Sequence, residues 1–148
     1  MSKKYIAAEL RRQVTDRAAG CCEYCRTQAR YSSDPFSLDH IAPRSTGGQS
    51  ELENLALSCQ GCNQHKGRRI SAPDPLTDVT TPLFHPRRDP WDQHFAWSED
   101  FTVVVGLTPT GRATISALQL NRSGLVNLRR ALYAIGEHPP KFISKQAG

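Results

Sequence analysis

Residues 22–66 read CEYCRTQARYSSDPFSLDHIAPRSTGGQSELENLALSCQGCNQHK. Two Cys-x-x-Cys pairs, Cys22/Cys25 and Cys59/Cys62, close the two ends of this stretch, with 33 residues between them (26–58). A Cys-x-x-Cys turn presents two sulfurs to one ion. Two such turns complete the tetrahedral shell that Zn²⁺ prefers and leave no position open for water. A site of that kind is structural, a staple for a unit too small to hold itself together. A redox-active pair would instead open a helix after a strand in a βαβ context, and neither pair has that context. Cys21 is left over, either as a buried thiol or as a substitute for Cys22 among the ligands.

Between the knuckles the sequence predicts strand, loop, strand, helix. Phe36 to Ile41 alternates as a short strand, and Pro43 with Gly47-Gly48 breaks it into a loop. Leu52 to Leu57 is a second apolar stretch, and Gln60 to Arg69 is compatible with a helix. Asp39 and His40 are adjacent, so on a regular strand their side chains would point to opposite faces. They share one site only where the strand ends or bulges. Histidine has the side-chain pKa suited to a base near neutral pH. A carboxylate at Asp39 and an amide oxygen at Asn63 are the hard ligands that Mg²⁺ accepts while keeping positions open for water and phosphate. Together these groups have the chemistry of metal-assisted phosphodiester hydrolysis.

The ordered set Leu38-Asp39-His40-Ile41, Pro43, Gly47-Gly48, Glu53-Asn54-Leu55, Cys59-x-x-Cys62-Asn63 and Lys66 resembles the HNH nuclease family over about residues 17–67. The resemblance implies a ββα-metal fold and a divalent-metal-dependent endonuclease that cuts DNA to 5′-phosphate and 3′-hydroxyl ends. It also implies roles: His40 as general base, Asp39 and Asn63 as ligands of a catalytic Mg²⁺ or Mn²⁺, and Asn54 as the residue fixing the loop that carries His40. Asn63 stands where other members carry histidine, and His65 is a rival ligand two residues on. Arg44, Lys66, Arg68 and Arg69 are candidates for phosphate contact, against the alternative of a solvated helix face. Two other functions stay open: a non-catalytic zinc module that binds nucleic acid, and a nuclease acting on RNA. No aromatic stacking platform for single strands stands out, which favours double-stranded DNA as partner.

The rest of the chain frames this segment. Its 148 residues suit one ordinary domain, and the formal net charge is +5. Residues 1–72 carry eleven Lys/Arg and seven Asp/Glu (+4); residues 73–148 carry eight and seven (+1). The positive excess sits with the cysteine-bounded half and suits an anionic partner. No apolar run approaches the roughly 18 residues of a membrane span, and MSKKYIAAELRRQ lacks the apolar stretch of a secretory signal. The expectation is a cytoplasmic protein with reduced thiols.

Ile6, Leu10, Val14 and Ala18 mark an amphipathic helix over residues 5–18 that stops near Gly20, with Arg11, Arg12 and Arg17 solvated. Five prolines make 71–93 a connector, excluding regular helix and central strand. Thr102–Leu107 and Arg112–Leu118 are expected to pair as a hairpin around Thr-Pro-Thr-Gly. Leu125, Leu128, Leu132 and Ile135 mark one face of a last helix. His85, Arg87, Arg88 and His94 read as loop anchors around Phe84, Trp91 and Phe95, with a second site as the alternative. The fold class is α+β: a nuclease module over 1–70 with an N-terminal helix, a connector over 71–93, and a β-hairpin-helix extension over 94–148 packed on the module.

Overall fold

The computed structural model describes residues 3–141, with side chains from residue 8 onward. The protein is mixed α/β. Helix α1 (Lys3–Arg17) leads into the first cysteine knuckle. Strands β1 (Ser37–His40) and β2 (Leu55–Ser58) pair antiparallel with Asp39 opposite Ala56 and His40 opposite Leu55, and helix α2 (Gln60–Lys66) follows. This strand–strand–helix order is the ββα arrangement expected between the knuckles. β1 ends at His40, with Asp39 and His40 as the last two residues of the ladder.

Val14 on α1 and Ala18 just past its end are buried, while the side chain of Ile6 lies outside the described residues. The arginines of α1 do more than solvate it. Arg17 donates to the carbonyls of Leu52 (2.9 Å) and Leu55 (2.7 Å), and Arg11 donates to the Phe36 carbonyl. Both guanidiniums satisfy backbone acceptors just before β1 and around the start of β2.

The loop between β1 and β2 turns sharply because Gly48 has no side chain. A Cβ there would lie 1.8 Å from the Ala42 carbonyl oxygen. The Gly48 N–H instead donates to the Pro43 carbonyl at 3.0 Å.

The proline-rich segment holds more regular structure than its composition suggests. Strands β3 (Ser71–Pro73) and β4 (Thr80–Pro82) pair with each other alone, so a proline on each costs no central ladder bond. Pro90 immediately precedes the single-turn helix α3 (Trp91–His94), where a missing N–H costs nothing.

The expected hairpin is displaced by one element. β5 (Phe95–Trp97) pairs with β6 (Val104–Gly106), and residues 109–118 form helix α4 (Pro109–Leu118) rather than a strand. Thr108 caps α4 by accepting the Gly111 N–H at 3.0 Å, and Pro109 opens its first turn. That Thr-Pro start outweighs the β-branched residues behind it. Helix α5 (Ser123–Ala134) matches the predicted last helix; Leu125 and Leu132 are buried, but Ile135 caps the helix and is exposed. One buried cluster runs from Val14 through the knuckles, β2, Phe84, Trp91, Phe95 and α4 to Leu125.

Candidate active site

The four sulfurs of Cys22, Cys25, Cys59 and Cys62 lie within 4.8 Å of one another, and all four residues are buried. A tetrahedron of 2.3 Å zinc–sulfur bonds has edges of about 3.8 Å; Cys25 Sγ is 3.7 Å from Cys59 Sγ. Each knuckle is tightened by an N–H···S bond, from Cys25 to Cys22 Sγ (3.5 Å) and from Cys62 to Cys59 Sγ (3.4 Å). The donor set therefore fits a structural metal. Cys21 stands outside it, its thiol turned to the Ala19 carbonyl and pushed up to about 11 by burial.

Arg122 completes the cluster, and sequence reasoning missed it. Its guanidinium lies 3.4 Å from Cys59 Sγ and 3.6 Å from Cys62 Sγ, a countercharge for a four-thiolate site. It lies so close over Gly61 that a Cβ there would meet Arg122 Nη2 at 2.4 Å. The pairing joins residues sixty positions apart; the glycine inside Cys59-Gln-Gly-Cys62 was its only trace in the sequence.

Asp39 is buried behind this knuckle. Its Oδ2 accepts the Tyr24 hydroxyl at 2.6 Å, and Tyr24 belongs to the first cysteine pair. Burial, then the adjacent carboxylate, pushes the Tyr24 phenol well above its ordinary range, so it stays a donor. Lys66 reaches the same carboxylate, with Nζ 3.1 Å from Oδ2 and 3.4 Å from the carbonyls of His40 and Ile41. Expected at the nucleic-acid face, Lys66 is only 2% exposed. As it stands it meets Asp39 and two carbonyls, not a phosphate at the surface.

His40 is more open. Its Nε2 is 2.8 Å from Ser50 Oγ, and Arg44 donates to the same oxygen at 3.2 Å. With Arg44 as donor, the Ser50 hydroxyl is free to give its proton to Nε2. In the Nδ1–H tautomer, Nε2 accepts that hydroxyl proton. Burial, then Arg44, lowers the His40 pKa against an opposing pull from Asp39. The ring is neutral at pH 7.

Asn54 is buried and holds the loop: Oδ1 accepts the Ala42 N–H (2.8 Å), and Nδ2 donates to the carbonyls of Ala42 (3.0 Å) and Gln49 (2.9 Å). The bonds to Ala42 fix the backbone two residues after His40; the bond to Gln49 fixes it next to Ser50. Asn63 is half-buried on α2, one turn before Lys66. Its amide makes no hydrogen bond among the described residues. His65 is exposed. Arg44 and Arg68 are exposed as well. Arg69 spends its guanidinium on the His65 (2.6 Å) and Ala117 (3.0 Å) carbonyls, tying α2 to α4.

Residues 22–69 match the HNH endonuclease family. The matched segment holds both knuckles, Asp39, His40, Asn54, Asn63 and Lys66, and it stops where β3 begins. No curated protein and no solved structure gives a significant match to the chain. HNH domains are nuclease modules that act on nucleic acids and use divalent metals. Among the described residues no helix is long and apolar enough to cross a membrane.

Proposed function

We propose that the protein is a divalent-metal-dependent endonuclease that hydrolyses phosphodiester bonds in double-stranded DNA. The observation that carries this reading is His40 at the end of β1: neutral, with Nε2 facing a hydroxyl, directly after a buried carboxylate in an HNH segment. Nε2 takes a proton from water, and the resulting hydroxide attacks phosphorus. The P–O3′ bond breaks, the departing O3′ takes a proton from solvent, and the products carry a 5′-phosphate and a 3′-hydroxyl. A hard divalent ion, Mg²⁺ or Mn²⁺, held by the Asp39 carboxylate and the Asn63 amide oxygen, would supply charge stabilisation at the phosphate and the leaving oxygen. Tyr24 fixes the carboxylate, and Asn54 fixes the loop. Zn²⁺ in the four-cysteine site, with Arg122 against it, holds α2 to the strands. Arg68 is free to meet a phosphate, and Arg44 has donors to spare beyond its bond to Ser50; Lys66 reaches one only on leaving Asp39.

That ion pair is also the observation favouring a binding-only module, because an ammonium occupies the carboxylate a catalytic ion would need. Incubating the zinc-loaded protein with supercoiled plasmid, linear duplex and RNA, in Mg²⁺ and in Mn²⁺, separates the readings. Cleavage of the DNA, ending in ligatable 5′-phosphates, is expected. Binding without cleavage of any substrate would replace the nuclease by the binding module, and cleavage confined to RNA would change the substrate.

A further inference from the structure

A cleft of 480 Å³ opens beside the site, a size within the ordinary range of small-molecule pockets. One wall is Ile41, Ala42 and Lys66, the backbone that follows His40 and the lysine bonded to Asp39. The other comes mainly from residues between Pro82 and His94, among them His85, Arg88 and Asp89, which lie outside the HNH match and have no role in the mechanism above.

The lining is divided by chemistry. Polar donors stand on the far wall. Arg88 is exposed, and its guanidinium has no acceptor among the described residues. His85 accepts the Arg87 N–H at Nδ1 (3.2 Å), so the neutral ring carries its proton on Nε2, where it is a donor. Burial, then Arg88, lowers the His85 pKa. The one carboxylate in the lining, Asp89, is partly occupied: it accepts the backbone N–H of His85 at 3.1 Å and lies 3.7 Å from His94 Nε2. Apolar surface completes the cleft, including Ile70, which is 58% exposed. A large aliphatic side chain standing in solvent beside unpartnered donors suits a ligand that is anionic at one end and flat and apolar at the other. A nucleotide has that form.

We propose that this cleft seats a nucleotide of the substrate strand next to the scissile phosphate. Arg88 and His85 take its phosphate, and Ile70 packs against its sugar or base. The inference rests on the endonuclease reading and adds to it. The 83–94 segment, outside the HNH match, becomes part of the substrate track, and Arg88 becomes a docking residue equal to Arg44 and Arg68.

The test is fluorescence anisotropy of a labelled 20-base-pair duplex across a salt series, with plasmid nicking in parallel. The zinc-loaded parent is compared with Arg88→Ala, Ile70→Asp and Arg130→Ala, the last an exposed control on α5. Arg88→Ala should weaken binding about tenfold and reduce the slope of log affinity against log salt by about one, as loss of one phosphate contact does. Ile70→Asp, which puts a carboxylate in the cleft without disturbing the core, should weaken binding at least as much. Arg130→Ala should match the parent. Saturating duplex should restore the nicking rate of Arg88→Ala, because the defect lies in docking. Parent-like affinity and salt slope in both cleft variants would overturn the inference while leaving the nuclease intact. A parent that binds no duplex would overturn both.

Discussion

Replacing Lys66 by Met removes an ammonium and keeps most of the side-chain volume. Lys66 and Asp39 are 2% and 4% exposed, and Nζ is 3.1 Å from Oδ2. At that distance the gross attraction is about 5 kcal/mol for an effective dielectric near 20. Deleting one partner of a buried pair costs about 3–5 kcal/mol, because the other charge is stranded. Tyr24 still donates to Asp39, so the loss should fall near the lower end, about 3 kcal/mol. For a chain of this size that lowers the melting temperature by roughly 6–12 °C. A divalent ion satisfies the same carboxylate without competition from the ammonium. Lys66→Met should therefore bind Mn²⁺ more tightly than the parent and recover about 2.7 kcal/mol at a hundred times its dissociation constant. The assay is thermal unfolding followed by circular dichroism, in metal-stripped buffer and across a Mn²⁺ titration, with zinc content checked in each sample. A variant that melts with the parent without Mn²⁺, or that gains no more from Mn²⁺ than the parent does, would refute a shared carboxylate.

Other consequences follow from the same geometry. Arg122→Ala removes the countercharge beside Cys59 and Cys62, and zinc affinity read with a competing chromogenic chelator should drop about 10–100-fold; unchanged affinity would make Arg122 a packing residue only. Asn54→Ala deletes three bonds to the loop and leaves buried backbone groups unpaired. It should cost about 1–3 kcal/mol of stability in denaturant melts and slow nicking, with zinc retained. The His40 pKa is depressed, and the proposed base is the neutral ring. The nicking rate should therefore rise with pH and level off at a lower pH than an ordinary histidine would give. A rate still climbing steeply above neutral pH would point to another base.

The sequence was most legible where chemistry and spacing coincide. The doubled Cys-x-x-Cys, the Asp39-His40 pair and the break at Pro43 and Gly47-Gly48 led to a strand ending at His40, and to a helix behind the second knuckle. Residues whose partners are distant were read less well. Lys66 looked like a surface cation because helix periodicity cannot say which face meets a buried carboxylate 27 residues earlier. Arg122 and Arg17 spend their charge on sulfurs and carbonyls that no local pattern announces. Residues 112–118 of α4 were read as a strand, and 108–111 as a turn, because β-branched residues were weighed above the Thr108-Pro109 start. The prolines at 73 and 82 hid a two-stranded sheet in which both strands are edges.

The central claim is that His40 removes the proton from the attacking water. The most direct measurement is the rate of supercoiled plasmid nicking by His40→Ala beside the parent, each zinc-loaded and followed across a full Mg²⁺ and Mn²⁺ titration. Loss of a general base lowers the rate by about 10²–10⁴, and added metal does not replace it. The account predicts a loss of that size at every metal concentration, with duplex binding unchanged. Nicking by His40→Ala at the parent's rate would contradict it.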